Sequence, residues 1–310
     1  MRKLSVLCTS LCAMVLLISV GPARAQSILW VAPNGLDANV CSQVSPCATF
    51  QGAINKGGVA QIKCLNSGFY GAVTITASIT IDCGTGNIGT IFATAGHGIT
   101  INTGPGVIVV LRHLSLNGDG SATIGISAQN FSSGTLIVED CMIQGFSGTG
   151  NGIGIFFGPT GGRGLLQVSN SQMFDNGLGI AINPASGQVA SVTLDRVELV
   201  ANSATGLLLT GPGIVAGTMR NSVAGENGAN GVQTDASQVF FTVEESSIVD
   251  NLANGIKTNS AGSVVNVGAS TIGGNGTGVL ASSGSLISFG NNQMSANGIN
   301  GSFSSTTPLR

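Results

Sequence analysis

The sequence predicts an all-β coil, a parallel β-helix of about nine to ten stacked rungs closed at its N-terminal end by a short α-helical cap. Three observations predict it. A phrase of about two dozen residues recurs along most of the chain. The segments inside each copy are too short for helices and are separated by Gly and Asn. The composition, with 48 glycines and only 8% charged residues, lacks the long Ala/Leu/Glu/Lys-rich runs that helical repeats of this length require.

The phrase is clearest at Val168-Ser169-Asn170-Ser171-Gln172-Met173-Phe174-Asp175-Asn176-Gly177, followed by Gly179-Ile180. It returns around Leu199 and Asn202, Ala224 and Asn227, Ile248 and Asn251, Ile272 and Asn275, and Met294 and Asn297, with looser copies near Leu116 and Ile143. Apolar or small residues occupy offsets 0, 3 and 5 in each copy, which is the pattern of brief strands joined by turns. No rung can bury its apolar face alone, so successive rungs must pair in parallel, about 4.8 Å apart. Ile143, Met173, Leu199, Ile248 and Ile272 are expected to form one inward stack. The asparagines at 176, 202, 227, 251, 275 and 297 lie 26, 25, 24, 24 and 22 residues apart. They are expected to line one edge, each in a turn that needs positive φ, with side-chain amides hydrogen-bonding along the axis.

These residues resemble the right-handed parallel β-helix superfamily, the pectate-lyase-like proteins, over Ile62 to Phe303. The resemblance implies a single-stranded right-handed coil, assigned here to residues 61–303. Residues 26–60 are read as the N-terminal cap. The run from Trp30 to Asp37, then Cys41 to Ile54, is similar to the opening of secreted β-helix proteins that include polysaccharide lyases: a strand, a Pro-containing loop, and a helix expected over Thr49–Lys56. Such a cap covers the open edge and core end of the first rung. Thr49 suits the N-cap, and Gly57-Gly58 end the helix.

Residues 1–25 read as a signal peptide. Arg2 and Lys3 precede an apolar stretch from Leu4 to Val20, and Ala23-Arg24-Ala25 is a small-x-small cleavage signal. Secretion or delivery to the periplasm follows, with cleavage near Ala25. Nothing later has the unbroken apolar length that spans a bilayer. Three of the eleven Lys/Arg lie in the leader, leaving eight against thirteen Asp/Glu. That acidic balance, with no basic patch, argues against nucleic acid as a partner. Residues 304–310, rich in Ser and Thr, read as a flexible tail.

Export permits disulfides. Cys41 and Cys47 flank one turn and are expected to pair. Cys64 and Cys83 lie 19 residues apart, about one rung, and alternation turns both inward, so a bridge between adjacent rungs is expected. Cys141 falls in a small inward column with Ser171, Val197 and Ser222 and reads as an inert core thiol.

Chemistry on a coil must be sought in columns. Directly after the first repeat position stand Glu139, Ser169, Asp195, Arg220 and Glu244, and beside them Asp140, Asn170, Arg196, Asn221 and Glu245. Asp195, Arg220 and Glu244 form an alternating-charge ladder. As a catalytic set they would supply carboxylates for Ca2+ and an arginine to take a proton beside a uronate. As a surface feature they are cross-strand pairing on a solvated face, with no metal or cofactor. Gly96-His97-Gly98 resembles the Gly-His-Gly element of polygalacturonases, and Gly255-Ile256-Lys257 their Arg-x-Lys element. The acidic motifs of that family, which supply the two carboxyls hydrolysis needs, are missing, so His97 reads as a loop residue. His113, beside Arg112, either faces a groove or follows strand alternation. Aromatic platforms are scarce, with one Trp (Trp30) and one Tyr (Tyr70); Phe156-Phe157 and Phe240-Phe241 are the pairs expected to place one ring outside. The leading functional expectation is a rigid exported scaffold that touches polysaccharide or a cell-envelope component. The alternative is a polysaccharide lyase or glycoside hydrolase.

Overall fold

The computed structural model describes residues 27–84, 86–148 and 152–307. The segment read as a signal peptide, residues 1–25, and the cleavage expected near Ala25 lie outside them. The described chain is a parallel β-helix whose strands stack into three ribbons along one axis, every pairing between successive rungs being parallel. The first sheet runs from Ser27–Val31 through Val59–Cys64, Ile79–Asp82 and Val107–Arg112 to Ser305–Thr306. The second starts at Gly68–Phe69 and Gly89–Phe92 and ends at Gln293–Ser295. The third runs from Val73–Ile75 and His97–Thr103 to Ile299–Gly301.

The inward stack of the second sheet is continuous. Leu116 pairs with Ile143, Ile143 with Met173, and Met173 with Leu199. Leu199 pairs with Ala224, Ala224 with Ile248, and Ile248 with Ile272, all fully buried. Each Leu, Ile or Met side chain of the stack contributes roughly 1.5–3 kcal/mol by leaving water, and only stacking makes that burial available.

The bend from the second to the third sheet carries the asparagines. Nδ2 of Asn202 donates to Oδ1 of Asn227 at 3.0 Å and to the Met173 carbonyl at 3.1 Å. Oδ1 of Asn227 also accepts the Asn202 backbone N–H at 3.1 Å. The same set repeats from Asn176 to Asn297. The left-handed residue is not the asparagine. Positive φ falls one position earlier, at Asp175, Ala201, Glu226, Asp250, Gly274 and Ala296. Asparagine recurs because its amide satisfies buried backbone groups, not because of its backbone tolerance. The ladder also explains the following glycines. A Cβ on Gly179 would stand 2.5 Å from the Gly206 carbonyl oxygen and 3.2 Å from Asn202 Nδ2.

The ladder ends at Phe146, whose N–H donates to Asn176 Oδ1 at 3.1 Å. Its ring fills space that only a glycine leaves open: a Cβ on Gly118 would lie 2.7 Å from the Phe146 ring. Below that point the coil is held differently. Cys64–Cys83 joins adjacent rungs with a Cα–Cα distance of 4.4 Å, and Cys41–Cys47 closes the cap loop at 4.6 Å.

The cap helix is shorter than the sequence suggests, Phe50–Ile54 instead of Thr49–Lys56. Thr49 is its N-cap and accepts the Gly52 N–H, while Gly57 and Gly58 take positive φ just beyond Lys56. Tyr70 is no sugar platform; it is fully buried, with its ring 4.9 Å from Phe50. In the segment assigned to a flexible tail, Ser305–Thr306 pairs with Ile287 and Ser288, because the last long strand offers an open edge. Among the described residues no helix is long and apolar enough to cross a membrane.

Candidate functional site

Between the first and second sheets the chain turns through a single left-handed residue. His113, Asp140, Asn170, Arg196, Asn221 and Glu245 occupy that position on successive rungs, each with φ between 48° and 55°. The residue that follows turns inward: Ser171, Ser222, Ser246 and Ser270 each lend a hydroxyl oxygen to a backbone N–H of the preceding rung. That buried column fixes the bend and leaves the left-handed side chains pointing out in a row.

Cys141 sits in the buried column. Its thiol is 3% exposed, and burial pushes it up to about 12, so it stays protonated and inert.

At the N-terminal end of the row the segment around Gly86, Asn87 and Ile88 folds over the outer face of the second sheet. It closes a groove of about 460 Å³ that His113, Ser115, Asp140, Asn170 and Gln172 also line, with Leu114 and Met142 supplying apolar wall. The Nδ1–H of His113 donates to Asp82 Oδ1 at 2.8 Å, since an ionised carboxylate only accepts. Asp82 is held in turn by the Gly84 N–H at 2.8 Å. The imidazole is thereby oriented with Nε2 toward Asp140, 3.7 Å from Oδ2. Next to it Arg112 Nε donates to Glu139 Oε2 at 2.6 Å. A carboxylate-held imidazole at the edge of a groove is able to exchange a proton or a hydrogen bond with a hydroxyl placed there.

The charge ladder is rearranged relative to the sequence reading. Asp195 is not solvated: its side chain is 11% exposed and takes Arg196 Nη1 at 2.5 Å, Arg220 Nε at 3.2 Å and Asn221 Nδ2 at 3.0 Å. Glu244 stands opposite Arg220 in register without an ion pair to it among the described residues. The reason is the left-handed bend, which brings Arg196 and Asn221 around to Asp195 and leaves Arg220 committed to that side. No three His, Cys, Asp or Glu side chains among the described residues are grouped to hold a metal ion.

Other candidates lie apart. His97 opens a strand instead of sitting in a loop, partly buried, and burial lowers its pKa. Phe240 is the outward member of its pair at 53% exposure, while Phe157 and Phe241 are buried. Two outward rings had no sequence signal: Phe69, 70% exposed, and Phe92, 43% exposed, flank a concavity of about 440 Å³ over Gly71. Trp30 is partly exposed, with Lys63 Nζ 5.8 Å from its ring.

Fold and bends together define the architecture: a right-handed parallel β-helix repeat protein. The crystal structure of pectate lyase Pel9A superimposes with a TM-score of 0.58 at 16% identity, over 92% of this chain and 80% of that one. The A-module of mannuronan C-5 epimerase AlgE4 from Azotobacter vinelandii is similar at a TM-score of 0.44 and 14% identity, over 84% of this chain and 94% of that one. No family model and no curated protein sequence matches the chain.

Proposed function

We propose that this protein is exported to the periplasm or beyond, after cleavage near Ala25, and acts as a rigid scaffold that binds polysaccharide along its outer surface. The observation that carries the reading is the groove at the first bend. There a histidine, a carboxylate and amides from consecutive rungs stand in line with the axis, beside an apolar wall. An extended glycan presents hydroxyls at regular intervals with apolar ring faces between them, and a row of polar groups at rung spacing complements that pattern. Two disulfides fit an oxidising compartment.

A second reading, a polysaccharide lyase or glycoside hydrolase, has one specific observation in its favour, the oriented His113. Any Ca2+ requirement belongs to that reading. The fold is shared with a pectate lyase, so pectate is among the first polymers to try. The test is to incubate purified protein with acidic and neutral polysaccharides, with and without Ca2+. Retention on immobilised polymer is measured together with unsaturated products and new reducing ends. Retention without product supports the scaffold. Product formation that His113→Ala abolishes would replace it with the enzyme.

A further inference from the structure

We propose that Asn300 is a self-modification site, its side-chain amide converted to an acid through attack by the backbone nitrogen of Gly301. That conversion then opens the asparagine ladder to the same chemistry, starting from its exposed end. In the step, Gly301 N attacks Cγ of Asn300, a C–N bond forms and the Cγ–Nδ2 bond breaks. The side-chain nitrogen leaves as ammonia, taking the Gly301 proton, and water opens the resulting succinimide to aspartate or isoaspartate. A glycine at the following position favours the ring closure because no Cβ shields its nitrogen.

Asn-Gly occurs ten times in the chain, so the following residue is the same at each and the structure decides between them. Two commitments protect such a pair: a hydrogen bond that holds the glycine N–H, and bonds that hold the amide nitrogen. The ladder has both. The N–H groups of Gly177, Gly228, Gly276 and Gly298 donate to backbone carbonyls at 2.8 to 3.1 Å. Nδ2 of Asn227 donates to Leu199 O and to Asn251 Oδ1, each at 2.9 Å, and Asn176, Asn227 and Asn275 are all buried. Asn34 in the cap is exposed, but the Gly35 N–H is held by Ala32 O at 2.8 Å. Gly118 N–H is held by Gln144 O at 2.9 Å. Asn230 and Asn254 are buried and bonded to each other at 2.7 Å.

Asn300 and Gly301 lack both commitments. The two residues are exposed, and no acceptor holds Asn300 Nδ2 among the described residues. Asn300 Oδ1 accepts Asn297 Nδ2 at 3.0 Å. Attack at Cγ places negative charge on that oxygen, so the bond favours the reaction. Gly301 stands in the column of Ile180, Leu207, Val232, Ile256 and Val279. In that column Ile180 donates its N–H forward, to Gly206 O at 2.9 Å, and Gly301 lies on the last described rung.

Conversion carries a structural consequence. An isoaspartyl linkage adds a methylene to the backbone of Ile299–Gly301, which then cannot keep Ile299 opposite Thr277 and Gly301 opposite Val279. This strand directly follows Asn297-Gly298. The protection of that pair is the Gly298 N–H on Asn275 O at 2.9 Å and Asn297 Nδ2 on Ile272 O and Asn300 Oδ1, both at 3.0 Å. Once the strand frays, Asn297 becomes the next pair to react, and the ladder is consumed inward.

The experiment ages the purified protein in warm, mildly alkaline buffer, then locates each amide-to-acid change by mass spectrometry of chymotryptic peptides. Residues 258–309 carry no charged side chain, so a new acid there is also resolved by anion exchange. Asn300 should convert about a hundredfold faster than Asn176, Asn227 or Asn275, whose amides are released only when several buried hydrogen bonds open together. Acid at Asn297 should follow after a lag. Asn300→Gln, whose longer side chain closes the ring poorly, should suppress both. In concentrated urea all ten pairs should convert at one common rate. If Asn300 converts no faster than Asn227 in the folded protein, or acid forms first at Asn34, the site is wrong. A lead for Asn300 that persists in urea also overturns it, because the structure then protects nothing. Acid at Asn297 on an unchanged schedule in Asn300→Gln overturns the inward order.

Discussion

The rungs before Phe146 and the rungs after it solve the same packing problem by different means. After Phe146 the second bend is an unbroken amide ladder, and its residues are nearly uniform because each asparagine must match the one above and below. Before it no such ladder is present among the described residues; a cap helix, two disulfides and the Phe146 ring hold the coil. The groove, His113, Ser115 and the exposed Phe69 and Phe92 all lie on the ladder-free rungs or at their border. Where local cross-links hold the backbone, the repeat constrains the side chains less, and varied chemistry collects there.

The strongest way to break that comparison is to cut the ladder. Asn227→Ala removes an amide that donates to Leu199 O and Asn251 Oδ1 and accepts from Asn202, all buried. Leaving those partners unsatisfied should destabilise the protein by about 3–5 kcal/mol in denaturant unfolding. Asn297→Ala, at the partly exposed end, should lose less than half of that. Equal losses at both sites would show that the amides do not act as a buried chain. On the other side of Phe146, Cys64→Ser with Cys83→Ser opens a loop of 19 residues, and the chain-entropy model gives about 3 kcal/mol. If instead the double variant is neutral, the disulfide is not what replaces the ladder.

The coil, its inward stack and the position of the asparagines were legible because periodicity encodes them: a residue that must repeat every rung announces itself. The left-handed bend was not legible. The sequence places Asp195, Arg220 and Glu244 in one strand-like column, and only the turn after Asp195 shows why Arg196 and Asn221 close over it. The groove was half legible. The outward column that begins at Asp140 reaches His113 when extended back by one rung, and Asp82 lies 31 residues before His113, within reach only once the rungs stack. Ser115 carried no signal, because the groove it lines together with Gly86, Asn87 and Ile88 exists only once the rungs have stacked.

A smaller effect tests the first bend by pH. Cys141, fully buried with its pKa raised from 9.0 to about 12, binds its proton more tightly in the folded state. Its contribution is complete below the unfolded value and is lost as pH rises toward the folded one. Stability should therefore fall by about 1.4 kcal/mol per pH unit above pH 9 from this group alone. Cys141→Ser, which places in the column the residue already present at 171 and 222, should flatten that limb and change little at neutral pH. If wild type and variant fall in parallel, the thiol is not buried as described.

The smallest effect separates the two carboxylates of the charge ladder. Asp195 is nearly covered and makes three contacts, whereas Glu244 has no ion-pair partner among the described residues. Arg196 and Arg220 have side chains 58% and 56% exposed, so both can rehydrate when Asp195 is removed, and no charge is stranded in the core. Asp195→Ala should therefore reduce stability by about 1 kcal/mol, the upper end for exposed pairs, and Glu244→Ala by about zero. Thermal melts in low and high salt provide the check, because screening should shrink the Asp195 effect and leave Glu244 where it is. A loss of several kcal/mol for Asp195→Ala would mean that the carboxylate supports the bend itself. The left-handed row would then need its charges to hold its shape, and the division between supporting ladder and free outer column would fail at this rung.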